Sequence, residues 1–298
     1  MGLFDWLFGR RSAEDISGAR VRGNGSDGTS NGGPGDDLDP RVLSAYPVAL
    51  RPYAKRIEAT RRPYLAVTQL EGLPEKPNGS QLGGTPWWPE GRVFPTDSAG
   101  VPLRLLMQIN FDDAPVLDGF PERGLLQFFI GHDDLLGAEI DGDRASAAFA
   151  CVFHETADGA GADVAEMRAA MPAAETPFSP ADHVAPLALA HDTMVLTPTH
   201  HQFPAMLFGD GAPDHALWDA YAQSLNTGVT PIRLGGYADF TQDDPRGHQS
   251  GLGDVDLATV GTTTGIMWGD VGVAQFFIHR ADLARRDFSN VVYSWDCH

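Results

Sequence analysis

The chain has 298 residues, 42% of them hydrophobic, with 6 Trp and 16 Phe; this is apolar surface enough for a substantial core, and it excludes global disorder. It carries 21 basic against 40 acidic residues, a formal net charge of -19. Residues 1–62 hold 10 of those basic and 8 of those acidic residues, so the rest carries net -21, a sign that repels phosphate backbones and argues against nucleic acid as a partner of the body.

The first eleven residues, MGLFDWLFGRR, place Leu3, Phe4, Leu7 and Phe8 at helical spacing with Trp6 beside them. They predict a short amphipathic segment over 1–11 that docks on its own body or makes a weak membrane-surface or partner contact. The stretch is too short for a signal peptide and its charge follows the apolar residues; Trp6 replaces the Ser or Thr of a myristoylation signal. Residues 12–40, dense in Gly, Ser, Asn and Asp, read as a flexible linker. The folded body is expected over 41–298, where Val42, Leu43, Tyr46 and Leu50 restore apolar content and a helical segment follows from about Ala54 to Thr60.

Beyond Pro63 short strands alternate with Gly and Pro turns. Leu103, Leu105, Met107 and Ile109 alternate with Arg104, Leu106 and Gln108, which predicts a strand with one face buried more deeply. Leu125 to Ile130 is apolar on both faces apart from Gln127 and reads as an inner strand. Helical spacing is clearest over Pro213 to Asn226, after Asp214, and weaker over Asp163 to Met171 before Pro172. Few helices among many strands predict an α+β, strand-rich core with peripheral helices.

The letters repeat. Gln127-Phe128-Phe129-Ile130 with Asp134-Leu135 returns as Gln275-Phe276-Phe277-Ile278 with Asp282-Leu283, and Leu82-Gly83-Gly84 returns as Leu234-Gly235-Gly236. The offset changes only from 148 to 152 residues. Two copies of one unit, about 80–136 and 232–284, are therefore expected to form an internally duplicated core. Each buried Gln must find a hydrogen bond, most simply on the backbone of a nearby turn. Asp134 and Asp282 are expected to cap or turn the chain after each strand.

No local catalytic motif is present: GxSxG, HExxH and GxxxxGK[ST] are all missing. Asp239, Gln242, Asp243, Asp244, Arg246 and His248 crowd one loop, and Trp268-Gly269-Asp270 follows. From these, Asp239, Gln242, Asp243, Trp268 and Asp270 are the candidate binding residues, since carboxylates beside an indole suit a sugar, an amide or a cation. Catalytic residues are not assigned. No metal or cofactor is expected, because His200-His201 read as adjacent loop histidines that point apart, and Cys297-His298 has no further ligand beside it. Cys151 and Cys297 form no CxxC pair, which suits a reducing cytoplasm.

The words GGTPWWPEG, PLRLLMQINF and GLLQFFI in the first half, then LGGYADFTQDDPR, MWGDVGVAQFFI and DFSNVVYSWDC in the second, resemble the YwqG-like family, also described as the domain of unknown function 1963 family. The resemblance spans about residues 63–297. It implies an α+β, β-roll-like fold, supplies no catalytic residues, and suggests an immunity role beside bacterial toxins. Relatives carry an acidic stretch before the MWGD word, where this chain has Gly261-Thr262-Thr263-Thr264-Gly265; a metal resting on that stretch is disfavoured. The leading expectation is thus a binding or interaction protein with a basic protein partner such as a toxin. The alternative is a hydrolase or a carbohydrate-type small-ligand module with its pocket near Asp239 and Trp268.

Overall fold

The computed structural model describes residues 38–138, 148–159, 161–165, 169, 179–209 and 213–298. The expected N-terminal segment, nearly all of the linker and most of the helix over 163–171 lie outside the described residues.

Among the described residues ten strands form one antiparallel sheet: β1 (Arg62–Gln69), β2 (Gln81–Leu82), β3 (Arg104–Asn110), β4 (Leu125–Ile130), β5 (Phe149–His154), β6 (Ala185–Met194), β7 (Ile232–Gly235), β8 (Val255–Gly261), β9 (Val273–Ile278) and β10 (Val292–Asp296). Their order is β10-β9-β8-β7-β1-β6-β2-β3-β4-β5. Two meanders, β2 to β5 and β7 to β10, flank a central pair in which Arg62 faces Met194 and Gln69 faces Leu187. The central pair is exchanged. β1 precedes the first meander in the chain yet pairs with β7 of the second, while β6 precedes the second and pairs with β2 of the first.

The sheet curls into a near-barrel. Trp295 Nε1 on β10 donates to Leu135 O at 2.7 Å, and the Phe149 ring on the opposite edge lies 5.3 Å from Tyr293. The interior is shared between the meanders: Phe128 and Phe276, both fully buried, meet edge to face at 4.8 Å. The expected strands over Leu125–Ile130 and Val273–Ile278 are present, and each is buried along its whole length.

The expected alternation along β3 is broken. A bulge separates Leu105 from Met107, and every residue from Leu105 to Asn110 is buried. The outer face is buried because the segment carrying Trp88 and Phe94 folds over it, against Leu103, Leu105 and Phe129. A second bulge lies between Asp256 and Ala258 of β8, opposite β9. The glycine pairs ahead of β3 and β8 have positive φ at all four residues, +50° and +74° at Gly83 and Gly84, +74° and +76° at Gly235 and Gly236. This is backbone that other residues adopt at a cost. The correspondence ends after the strands: Asp134 is exposed in a turn, whereas Asp282 is buried in a helix and pairs with Arg285.

Among the described residues five helices, α1 (Pro40–Ala45), α2 (Ala54–Ala59), α3 (Phe203–Phe208), α4 (His215–Ser224) and α5 (Arg280–Ala284), are peripheral. α4 starts where Asp214 accepts the Leu217 N–H and buries Tyr221 against Leu50, Ile57, Tyr64 and Phe203 on the outer side of the central strands. Among the described residues no helix is long and apolar enough to cross a membrane.

Candidate ligand cavity on the second meander

Arg233 of β7 faces Thr259 of β8, and Thr259 faces Gln275 of β9. This polar row lies under the loop that follows Gly236, and its side chains hold that loop down. Gln275 Nε2 donates to Asp239 O, while Arg233 Nε and Nη2 both donate to Tyr237 O, at 3.2 and 2.8 Å. Thr197 Oγ1 fixes Ala238 O at 2.6 Å. The expectation that the buried Gln of each strand bonds the backbone of a nearby turn is met at both, since Gln127 Nε2 donates to Trp87 O at 2.7 Å.

Beside the row is a cavity of about 280 Å³ lined by Arg233, Thr259, Asp239, Thr230, Asn226 and Thr241, with Val229, Val271 and Val273 among its apolar wall. The Asp239 carboxylate is exposed and accepts from Thr199 Oγ1 at 2.9 Å. Arg233 is 3% exposed, and burial pulls its guanidinium below the ordinary arginine range.

Behind the row sits Asp256, also buried, its Oδ1 without a hydrogen-bond partner among the described residues. The Thr259 hydroxyl lies 2.8 Å from Asp256 Oδ2 and 2.7 Å from Gln275 Oε1. The Gln275 amide is oriented by its N–H bond to Asp239 O, so Oε1 is the end that faces Thr259. One hydroxyl proton cannot serve two acceptors. A proton on Asp256 completes the chain, with the acid donating to Thr259 and Thr259 donating to Gln275. The direction of the electrostatics agrees: burial pushes the carboxyl up to about 6, against the pull of Arg233 and the Thr259 bond, so the proton is held below that pH and released above it.

A charged knot adjoins this region. Asp244, its side chain 1% exposed, accepts from Arg246 with both oxygens, at 2.9 and 2.7 Å, and from His201 N and Nδ1. Burial alone would raise this carboxyl; Arg246 and His201 outweigh it and hold it well below the ordinary range. The two histidines do not point apart as the sequence suggested. They stack at 4.6 Å, because hydrogen bonds from His200 N to Thr197 O and from Phe203 N to His200 O tighten the turn. His200, His201 and Asp244 bring ligand atoms within 4.8 Å of one another. The same carboxylate already neutralises Arg246, and His200 Nδ1 accepts from Gln202 N; a cation there would face a guanidinium. Burial, with Arg246 adding to it, pushes the His200 pKa down to about 3, so its ring stays neutral.

Of the five candidate binding residues, Asp239 alone lines the cavity. Gln242 ties the loop to the C-terminus, its N–H bonding Asp296 Oδ2 and its amide bonding Cys297 O. Asp243 and Asp270 are exposed. Trp268 is 0% exposed in the barrel interior beside Tyr293 and Trp295, so it offers no ring face to a ligand. Arg233, Asp256 and Thr259 escaped the sequence reading because an Arg between Ile232 and Leu234 reads as the solvent face of a strand.

No curated protein matches the chain. The region that holds both glycine pairs, both meanders, Arg233 and Asp239 is matched, over residues 80–297, by the family model described as Domain of unknown function (DUF1963). That is more than half of the chain, which therefore belongs to this family.

Proposed function

We propose that the chain is a binding protein whose small ligand enters the cavity beside Asp239. The observation that carries this reading is the wall itself, in which a buried guanidinium meets threonine and asparagine side chains around about 280 Å³ of space. Among the described residues the lining has no His or Cys, and Asp239 is its one carboxylate. A hydrolase needs a second acid–base group within reach of the first, so the lining favours binding over hydrolysis. The burial of Trp268 removes the ring on which a carbohydrate would stack. Asp239→Trp fills the mouth with an indole. Metabolites that raise the melting temperature of the parent protein should leave this variant unmoved, and a panel that moves neither protein overturns the reading.

We further infer that β2 to β5 and β7 to β10 are two copies of one duplicated unit. Three independent features support it: the bulge at the same place in β3 and β8, the positive-φ glycine pair ahead of each, and matching hydrogen bonds. Gln81 bonds Thr85 O as Arg233 bonds Tyr237 O, and Gln127 bonds Trp87 O as Gln275 bonds Asp239 O. Both pairs keep the 152-residue offset of the glycine words in the accepting residue.

The charge supports a second role, docking of a basic protein partner, of which a toxin held by its immunity protein is one form. Free Cys151 and Cys297 favour a reducing cytoplasm for it. Affinity for such a partner, recovered by pull-down, should fall steeply as salt is raised; affinity independent of salt rules the charge out as its cause.

A further inference from the structure

We infer that the cavity on the second meander is a site for a small oxyanion, a carboxylate or a phosphate, held by Arg233. The inference rests on the cavity being a ligand site and adds the charge of what fills it. Arg233 has five N–H donors. Nε and one Nη2 hydrogen go to Tyr237 O and one Nη1 hydrogen to Thr230 O, which leaves one N–H on each terminal nitrogen. All three bonds end on neutral carbonyls. Among the described residues the guanidinium forms no direct ion pair: Asp256 and Asp239 act on it through their charge without touching it, and Asp256 gives up its share below about pH 6, where it carries the proton that the Thr259 chain requires.

A buried cation that no carboxylate touches directly is costly, and a ligand that brings the opposite charge into contact with it relieves that cost. Two spare N–H groups on adjacent nitrogens match the paired oxygens of a carboxylate or phosphate. Thr230, Thr241 and Asn226 provide further polar wall. Asp239 stands on the same wall, exposed and held by Thr199. Its charge selects against strongly anionic ligands and favours one small group that reaches past it to the arginine.

The first meander supplies the control. Gln81 occupies the matching place and makes the matching bond, to Thr85 O at 3.0 Å. Arg233→Gln therefore copies a side chain that this scaffold already accepts. The probes are sodium acetate and sodium phosphate, against sodium chloride at equal ionic strength and against acetamide, the neutral analogue of acetate. Saturable stabilisation of the parent by acetate or phosphate is expected, with at least about tenfold weaker binding in Arg233→Gln. Which of the two anions binds more tightly identifies the headgroup. Asp239→Asn keeps the arginine, removes a like charge, and should bind as tightly as the parent or more so; it also serves if Arg233→Gln fails to fold. Acetamide binding equally to parent and Arg233→Gln would leave the cavity a ligand site and overturn the charge. Acetate and phosphate that stabilise no more than chloride, or Asp239→Asn that loses the anion, would also overturn the inference.

Discussion

In the first meander the cross-strand row is Gln81, Gln108 and Gln127; in the second it is Arg233, Thr259 and Gln275. All six amide hydrogens of the first row are engaged: Gln81 on Gly83 O and Thr85 O, Gln108 on Pro77 O and Gly79 O, Gln127 on Trp87 O and Gln108 Oε1. His154 closes the row by bonding Gln127 Oε1 at 2.9 Å, and Trp87 packs over it, 5.2 Å from that histidine. In the second row a guanidinium replaces one amide, a hydroxyl replaces another, and Asp239 stands where Trp87 stood. Among the described residues donors are left over there, a carboxyl oxygen lacks a partner, and a cavity opens. A polar row of this kind is first a device for pinning a loop to a sheet. It becomes a binding surface when its hydrogen bonds no longer close on themselves.

The comparison breaks most directly at the shared core. Phe128→Ala or Phe276→Ala should each cost about 3 to 5 kcal/mol and unfold both meanders in one denaturant transition. Two separated transitions would mean that the halves are independent bodies. The next largest effect isolates the charge of the second row. Asp256→Asn keeps the donor to Thr259 and cannot ionise. In the parent, burial lifts the carboxyl from its ordinary 3.8 to about 6, so its contribution is fully present below the first value and lost as pH rises through the second. Variant should therefore gain on parent by on the order of 3 kcal/mol between about pH 4 and about pH 7. Calorimetry of the pair at both pH values reads this, and a constant difference would place the proton elsewhere.

Much of this was legible in the letters, and the reason is local. A Gln inside Phe-Phe-Ile has no partner on its own strand, so burial forced a bond to a turn, and both turns are there. A glycine pair fixed the positive φ ahead of each unit. The polar loop around Asp239 was visible as a cluster, but its active neighbours were not. Arg233 and Asp256 sit at positions that period-two patterning assigns to solvent, and only the loop folded over them makes them buried. Trp268 beside Gly269 and Asp270 reads as loop, yet its ring turns inward. The exchange of β1 and β6 has no local signature, because either long strand satisfies either meander's edge in composition.

Smaller effects sharpen the parallel. Gln127→Leu leaves Trp87 O without its donor and His154 without its acceptor, and should cost about 1 to 3 kcal/mol in urea unfolding. Gln275→Leu should fall in the same range; a neutral result at either would remove that glutamine from the pinning role. Gly235→Ala is the mildest change, about 1 kcal/mol, since φ is +74° and the new Cβ meets the flexible end of Leu117. At the matching Gly83 the new Cβ would lie 2.3 Å from His183 O, backbone that cannot step aside. Gly83→Ala should therefore melt lower than Gly235→Ala, and the reverse order would contradict the packing.

The exchanged central pair also sets a timetable for synthesis. When β1 leaves the ribosome both of its neighbours are still unmade, since β6 and β7 lie more than a hundred residues downstream. The first meander can hairpin on itself as it emerges, but the strand ahead of it must wait with two open edges until β6 arrives. Such long-range closure is slow, and an unpaired edge invites other chains. The vulnerable species of this protein is then the nascent chain that ends near β5, and a truncation at that point should aggregate where the full chain does not.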